Sequence, residues 1–386
     1  MLKKVFLVTC AVAMVFSCSA KPKKVYKKKK PIQTYTQRYI LMDYNSDMII
    51  DSKGMDERVA PSSMTKLVTI YILFSKLQSG ELKLTDKMTV SHQASHTGGS
   101  RSWLAEGTEV SVEDLIQSII VHSGNDAAVV IAENISGSIE RFADLMNETA
   151  YRLGMVNSNF VNPSGLPDEN HYSTVRDLAI IAKRLIQDFP EYYGYFSQKE
   201  FEFSGIRQSN RNTLLWDNIG VDGLKTGHTE KGGYGLAASA YQDGVRLISV
   251  VNGCNTATSR STKMKNLLTM GFRSITTYSL AKKGVPVCNV DVWLGHKQAI
   301  PLVCNQDIQI TIPKSELKTL KVQALVKSPI KAPVKIGTHA GYLVAEYGNG
   351  VRVQYDLYTG ASTEELGIFS RCVAAFKYML FGRSVR

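Results

Sequence analysis

Three short motifs contain the residue types of a nucleophilic acyl-transfer site, and the first of them is Ser-x-x-Lys. Ser63 and Lys66 are three residues apart, so a helix places the hydroxyl and the amine on one face. A serine hydroxyl is a weak nucleophile and needs an adjacent base. Lysine is such a base only when burial and a nearby cation lower the pKa of its amine. Pro61 favours a helix start at this point, where backbone N–H groups would stabilise a developing oxyanion.

The second motif is Ser-Gly-Asn. Ser123 and Asn125 flank Gly124, sixty residues after Ser63 and between two predicted helices. A hydroxyl in this tight turn can relay a proton, and the amide can hold a lysine or a substrate carbonyl. The same three residue types are also typical of an ordinary turn between helices, so this motif alone is weak.

The third motif, Lys-Thr-Gly, begins on a predicted strand. Lys225 supplies a second cation, Thr226 a hydroxyl, and Gly227 a position where a substrate backbone can lie close to the strand. Each motif occurs by chance, since three other serines also precede a lysine by three residues: Ser279, Ser315 and Ser328. All three motifs in this order, at a helix start, an interhelical turn and a strand, indicate a catalytic site.

The periodicity of apolar residues predicts the elements that position these motifs. Helices nested between mainly antiparallel, hairpin-linked strands indicate an α+β domain over residues 37–284. The predicted hairpin is 39–50, the strands are 201–203, 223–229, 234–240 and 245–251, and the helices are 66–77, 111–122, 127–135, 139–153, 174–186 and 262–280.

Short strands punctuated by glycine and proline follow, and they predict a small all-β domain over residues 285–361. No catalytic constellation is visible there, so a spacer or docking module is the preferred interpretation. The predicted strands are 287–294, 308–312, 320–326, 338–347 and 351–355.

Residues 362–386 are predicted to form a C-terminal amphipathic helix. Its apolar residues recur at a spacing of three or four, and arginines flank the stripe. We expect this helix to associate with a membrane surface; docking on its own domain is the alternative. The stripe consists of Leu366, Phe369, Val373, Phe376 and Leu380.

The N-terminus has the pattern of an export signal over residues 1–20. Two lysines precede a largely apolar run at 5–16, which is too short to span a bilayer comfortably. Cleavage after Ala20 and lipidation of Cys18 both fit the small residues that follow, and we favour cleavage. Residues 21–36 are predicted to be a basic linker, with contact to anionic lipid or an acidic polymer as the alternative.

Composition excludes several classes of protein. A hydrophobic content of 44% with 21% charged residues is that of a globular chain, not a disordered one. The net charge is +12, but nine lysines lie before residue 31, where no acidic residue occurs, so the remainder carries only +3. The basicity therefore belongs to the N-terminal arm, and we expect no nucleic-acid partner.

The cysteines indicate neither a metal site nor a cofactor. Those outside the export signal are widely spaced, without a Cys-x-x-Cys or Cys/His metal-ligand spacing. An oxidising compartment would permit a Cys288–Cys304 disulfide, whereas buried free thiols are the default expectation.

The three motifs together resemble those of the penicillin-binding protein and serine β-lactamase superfamily. The closest resemblance is to the low-molecular-weight D-alanyl-D-alanine carboxypeptidases of the peptidase S11 type, and it extends over nearly all the chain after residue 37. It implies a transpeptidase-like catalytic domain, a β-domain and a terminal helix, without a cofactor. The segments that carry it are 60–66, 122–127, 210–212, 215–217 and 221–229.

The resemblance implies a role for each motif residue. Ser63 would attack the carbonyl between the two terminal D-alanines of a peptidoglycan stem peptide and form an acyl-enzyme, while Lys66 would take its proton. Ser123 would pass a proton to the departing D-alanine, and Asn125 would position the lysine and the substrate amide. Backbone N–H groups of Ser63 and His228 would form the oxyanion hole.

The same resemblance assigns the substrate-binding residues. Lys225 would hold the substrate carboxylate and help keep the catalytic lysine neutral, while Thr226, Gly227 and His228 would line the strand side. Arg260 falls where the family carries an arginine near that carboxylate, although the five residues before it depart from the family pattern.

The implied partners are a peptidoglycan pentapeptide as substrate, β-lactams as covalent inhibitors, and a membrane surface through the terminal helix. The implied location is the periplasm, on the outer face of the cytoplasmic membrane. A class A β-lactamase is disfavoured because no Glu-x-x-x-Asn occurs between Asn125 and Lys225. A D,D-endopeptidase acting on crosslinks and a non-catalytic wall-binding scaffold remain as alternatives.

Overall fold

A computed structural model describes residues 35–348 and 350–381. The predicted export signal and residues 21–34 of the predicted linker lie outside the described residues. The helices are α1 Lys66–Gln78, α2 His92–Ser95, α3 Val112–Gln117, α4 Asn125–Ser136, α5 Ile139–Leu153, α6 Val175–Asp188, α7 Ala257–Ser274 and α8 Ile368–Phe381.

The strands divide into those before and those after α7. The strands before it are β1 Arg38–Asp43, β2 Ile49–Lys53, β3 Lys87–Thr89, β4 Glu109–Ser111, β5 Glu200–Phe203, β6 Ile206–Ser209, β7 Val221–Thr229, β8 Gly233–Gln242 and β9 Val245–Cys254. The strands after it are β10 Ile275–Ala281, β11 Pro286–Trp293, β12 Ala299–Val303, β13 Ile308–Pro313, β14 Lys321–Val326, β15 Ile330–Lys331, β16 His339–Tyr347 and β17 Val351–Thr359.

The central sheet is antiparallel throughout and has the strand order β2-β1-β9-β8-β7. Asp243 and Gly244, both at positive φ, form the tight turn between β8 and β9, as an Asp-Gly turn signal predicts. Strand β7, which carries the Lys-Thr-Gly motif, is an edge strand of this sheet. One side of β7 therefore lacks a neighbouring strand of the sheet and can face a ligand.

Two hydrophobic clusters flank the central sheet. The larger one contains α1, α4 and α6, and the smaller one packs α7 against β8 and β9. Ten of the 13 residues of α1 are buried, which explains why its sequence is apolar on every face instead of amphipathic. A helix enclosed in this way carries Lys66 into the interior.

The C-terminal part is all-β up to α8. It contains a six-stranded sheet with the order β14-β16-β17-β12-β11-β15 and a separate antiparallel pair, β10 and β13. The α+β fold followed by a small all-β domain is thus confirmed. Its Cys288 and Cys304 are free thiols, and Cys288 pairs with Leu302 across β11 and β12.

Two predicted helices are wrong in extent. The helix predicted over 262–280 begins at Ala257 and ends at Ser274, because the following residues form strand β10. That strand contains Ile275, Thr276, Thr277 and Tyr278, which are β-branched or aromatic and favour extended backbone. The helix predicted over 111–122 is α-helical only to Gln117 and then widens into a π-helical turn, Ser118–His122. Helix α2 and strands β3, β4, β6, β12 and β15 were not predicted from the sequence.

Helix α8 presents large apolar side chains to solvent. Ile368 is 80% exposed, Phe369 86% and Met379 80%. Within residues 35–348 and 350–381, none of the helices combines the length and the hydropathy that crossing a bilayer requires.

Candidate active site

Ser63 lies in a 3₁₀ turn, Ser62–Thr65, that leads directly into α1. Residues three apart eclipse one another in this geometry, so Ser63 and Lys66 project to the same side. Lys66 Nζ lies 3.1 Å from Ser63 Oγ. The predicted hydroxyl–amine pair at a helix start is therefore present, and the turn that starts the helix is 3₁₀.

Lys66 is fully buried and has three polar partners. Its Nζ donates to Asn125 Oδ1 at 2.6 Å and to the backbone oxygen of Ser164 at 2.7 Å, and Ser63 Oγ is the third. Burial lowers the pKa of Lys66 to about 7, and the Arg211 guanidinium adds to the effect. An amide oxygen and a carbonyl can only accept, so a neutral Lys66 gives them its two protons and directs its lone pair at Ser63.

The Ser-Gly-Asn motif lies between the π-helical turn and α4. Ser123 adopts a left-handed conformation at φ 63°, and its buried Oγ has no hydrogen-bond partner among the described residues. Asn125 is fixed from both ends, because its backbone N–H donates to Ser100 O and its Nδ2 to Gly98 O at 2.7 Å. A buried hydroxyl without a partner is uncommon, and it suits a group that bonds to a substrate.

Gly227 is required for packing in the structure. A Cβ at this position would lie 2.9 Å from Pro61 O and 3.2 Å from Ser62 Cβ. The glycine was predicted to allow the approach of a substrate. In the structure it also lets β7 pack closely against the turn that carries Ser63. A hydrogen bond of 3.1 Å from Ser62 Oγ to Thr229 Oγ1 joins the same two segments.

The remaining β7 residues differ in exposure. Lys225 is buried, and its pKa is lowered well below its usual range by burial and by neighbouring cations, of which Lys66 contributes most. Thr226 is also largely buried, whereas His228 is exposed and stacks on Tyr234 with ring centroids 3.9 Å apart. Partial desolvation of its ring lowers the pKa of His228, which favours the neutral imidazole.

A cleft of about 640 Å³ brings most of the predicted site residues together. Lys66 lies beneath it, bonded to Ser63, and Lys225 is not a lining residue. No acidic side chain is present among the described residues that line the cleft. Its charge favours a carboxylate ligand, since Arg211 and Arg260 both contribute cations. The predicted residues in the lining are Ser63, Ser123, Asn125, Thr226, Gly227, His228 and Arg260.

Arg260 enters the cleft from the first turn of α7. It is 4% exposed, its Nη2 donates to Arg211 O at 3.0 Å, and its Nε has no partner among the described residues. The sequence analysis expected an arginine here from the family pattern alone, and the structure places it at the cleft.

Both halves of the chain match known families. Residues 24–256 match the peptidase S11 family, described as D-alanyl-D-alanine carboxypeptidase, and residues 276–365 match the one described as Penicillin-binding protein 5, C-terminal domain. The chain is 39% identical over 347 residues to D-alanyl-D-alanine carboxypeptidase DacA of Haemophilus influenzae, a match that covers 88% of both chains. The chain belongs to the peptidase S11 family of D-alanyl-D-alanine carboxypeptidases.

Solved structures of this superfamily resemble the fold. Penicillin-binding protein 5 from Haemophilus influenzae superposes with a TM-score of 0.75 at 39% identity, covering 87% of this chain and 99% of the other. Penicillin-binding protein D2 from Listeria monocytogenes, in its ampicillin-bound form, superposes with a TM-score of 0.56 at 27% identity, covering 61% and 96%. The predicted enzyme class, a serine-type D-alanyl-D-alanine carboxypeptidase, is confirmed.

Sequence reasoning missed two groups of this peptidase S11 site. The carbonyl of Ser164 accepts a hydrogen bond from Lys66, and a Cβ on the next residue, Gly165, would lie 1.8 Å from Ser62 O. The Asn-Pro-Ser-Gly sequence at 162–165 is a turn signal that could have indicated this loop. Arg211 was matched to the family without a role, yet its charge lowers the pKa of Lys66.

Proposed function

We propose that Ser63 attacks the carbonyl between the two terminal D-alanines of a peptidoglycan stem peptide. The new Ser63–acyl bond replaces the peptide bond, and the terminal D-alanine leaves. Lys66 takes the hydroxyl proton. This proposal rests on the two short hydrogen bonds that Lys66 Nζ donates to Asn125 Oδ1 and Ser164 O. Because both atoms can only accept, the lone pair of the amine is left for Ser63. Water then hydrolyses the ester and regenerates the serine.

Ser123 delivers the proton to the departing amine. Its buried hydroxyl has no partner among the described residues and lines the same cleft as Ser63, so it is available to bond to the leaving nitrogen. Asn125 holds Lys66 through Oδ1. Because Asn125 Nδ2 donates to the backbone oxygen of Gly98, the orientation of the Asn125 side chain towards Lys66 is fixed before substrate binds.

The substrate lies along β7 with its terminal carboxylate near the cations. Arg211 and Arg260, which line the cleft, supply the positive field. Lys225 would add to it in its protonated form, and Thr226 offers a hydroxyl to the carboxylate. The free edge of β7 supports an extended substrate, because an edge strand offers unpaired backbone groups to a peptide. Backbone N–H groups of Ser63 and His228, which both line the cleft, stabilise the oxyanion.

A β-lactam acylates the same serine. Ser63 opens the lactam ring, and the leaving amine remains tethered to the acyl group instead of departing as D-alanine does. The trapped enzyme therefore carries the whole mass of the inhibitor. The ampicillin-bound form of the Listeria relative supports this reaction for the present chain.

Release of D-alanine tests the function directly. Wild-type protein should release it from a pentapeptide ending in D-Ala-D-Ala, and Ser63→Ala should lower the rate by several powers of ten, as loss of a catalytic serine does. Ser62→Ala is the matched control, since Ser62 lies next to the nucleophile and its Oγ bonds to Thr229 Oγ1 and not to Lys66. A crosslinked peptide dimer serves as the second substrate. Faster cleavage of the dimer than of the pentapeptide would support an endopeptidase instead.

We further propose that the chain is exported to the periplasm and held at the outer face of the cytoplasmic membrane. The exposed apolar residues of α8 support this location, because a solvated face of this kind suits the boundary of a bilayer. Residues 1–20 would be the export signal, 21–36 the linker, 37–284 the catalytic domain, 285–361 the β-domain and 362–386 the membrane-associating helix.

A further inference from the structure

Two histidines and a glutamate converge on the surface outside the cleft. His92, His96 and Glu106 each offer one ligand atom, and these atoms lie within 4.8 Å of one another. The two imidazole rings stack with centroids 4.1 Å apart, and His92 Nδ1 lies 2.8 Å from Glu106 Oε2. His92 is the first residue of α2 and His96 follows its last residue, so the two are four residues apart and lie on one face. The carboxylate comes from a separate turn, which sequence spacing alone does not connect to α2.

We propose that His92, His96 and Glu106 form a binding site for a divalent transition-metal ion, with Zn²⁺ the ion that the donor set suits best. Two imidazoles and one carboxylate are ligands of Zn²⁺, which takes four in a tetrahedron. The fourth position is open to water. This site is separate from the cleft and from the carboxypeptidase chemistry.

The hydrogen bonding of His96 prepares it as a ligand. Its Nδ1 lies 3.0 Å from the backbone oxygen of His92. A carbonyl oxygen can only accept, so Nδ1 carries the proton and Nε2 keeps its lone pair for a metal. A ring N–H held by a backbone carbonyl in this way is the usual arrangement around metal-bound histidine.

The backbone around both ligand segments is fixed. Ser91 caps α2, since its Oγ accepts from the N–H of Ala94 at 3.0 Å. On the other side, Gly107, next to Glu106, donates its backbone N–H to Val90 O at 2.8 Å, and Val90 N–H bonds back to Thr108 O. The two ligand segments are thus held together before an ion binds, which reduces the entropy cost of assembling the site.

Metal binding requires a modest adjustment and the loss of one proton. The Glu106 carboxylate only accepts, so His92 Nδ1 carries the proton in their 2.8 Å contact and releases it when this nitrogen binds the ion. Tetrahedral Zn²⁺ with bonds near 2.0 Å separates its ligand atoms by about 3.3 Å, and the three ligand atoms now lie within 4.8 Å of one another. The side chains of His92 and Glu106 are 72% and 53% exposed, so they are free to move by this amount. The ion would join the two ends of the segment that carries Gly98 and Ser100, which contact Asn125.

Calorimetric titration of Zn²⁺ into the full chain, prepared without a histidine tag, tests the site. Wild-type protein should bind one ion, and the double variant His92→Ala/His96→Ala should weaken binding at least about tenfold. Glu106→Gln should weaken it in the same direction. Zn²⁺ should raise the unfolding temperature of wild-type protein and not of the double variant, because only the former binds in the folded state.

The matched control is His339→Ala. His339 is another exposed histidine with one carboxylate partner, Asp356 at 3.2 Å, and no third ligand among the residues that the structure describes. The His339→Ala variant should bind Zn²⁺ with the same affinity as the wild-type protein. The proposal is overturned if wild-type protein takes up no Zn²⁺, if the double variant loses less than tenfold in affinity, or if His339→Ala loses as much as the double variant.

Discussion

The proposed mechanism makes acylation depend on pH through Lys66. Lys66 would accept the proton of Ser63 in its neutral form, and burial together with the Arg211 charge lowers its pKa to about 7. Protonation below that value removes the base. The second-order rate of acylation by benzylpenicillin should therefore rise with pH, reach half its maximum near pH 7 and level off above pH 8, since this rate reports the free enzyme.

The magnitude follows from the fraction of neutral amine. An amine at the usual value of 10.5 is neutral in only about 0.03% of molecules at pH 7, whereas Lys66 is neutral in about half. Burial and the neighbouring charge thus increase the population of active base by roughly a thousandfold. At pH 5 the neutral fraction of Lys66 falls to about 1%, so acylation there should be about fiftyfold slower than at pH 7.

Arg211→Gln tests the cause of this shift. Removing the guanidinium removes a repulsive charge, so the pKa of Lys66 and the midpoint of the pH profile should move to higher pH. The midpoint should stay well below 10.5, because burial is the larger cause. Arg207→Gln is the matched control. Arg207 is an exposed arginine paired with Glu200 and Glu202, and its loss should leave the midpoint unchanged.

The assay measures acylation by intact mass at timed intervals between pH 5 and 9. A flat profile, or a midpoint at pH 9 or above, would refute the role of Lys66 as the base. A midpoint that moves to lower pH in Arg211→Gln would refute the electrostatic argument.

Three further outcomes are expected. Gly227→Ala should lower stability by about 1–3 kcal/mol and slow acylation, because its Cβ meets Pro61 O at 2.9 Å; Gly194→Ala, whose Cβ meets nothing within 4 Å, is the control for thermal unfolding. Deleting residues 368–386 should release the protein from membranes while D-alanine release persists. If the truncated protein stays on the membrane and only Cys18→Ser releases it, the helix is not the anchor. Arg260→Gln should raise KM for a peptide with a free terminal carboxylate more than for the same peptide with a C-terminal amide. An equal change in KM for both peptides would contradict binding of the carboxylate by Arg260.

The sequence predicts the contact between Ser63 and Lys66 better than it predicts the element boundaries. Ser63 and Lys66 can be found because helical spacing fixes their contact locally, and the hairpins of the central sheet follow from turn signals between apolar runs. The helix predicted to reach 280 fails, because residues 275–281 pair with β13. Whether such a segment forms a strand depends on the distant strand with which it pairs, and a local sequence pattern carries no information about that strand.

The contributions of Ser164 and Arg211 could not be predicted for a related reason. Ser164 acts through its backbone carbonyl, which every residue possesses, so its identity gives no signal. Arg211 acts through its charge on a lysine 145 positions earlier in the chain. Only the folded chain brings either group to Lys66.

Intact mass after incubation with benzylpenicillin tests the central claim most directly. Wild-type protein and Ser62→Ala should each gain the mass of one inhibitor, and Ser63→Ala should gain none while its circular dichroism spectrum stays that of the wild type. Labelling of Ser63→Ala, or a wild-type protein that is folded and remains unlabelled, would contradict the assignment of Ser63 as the nucleophile.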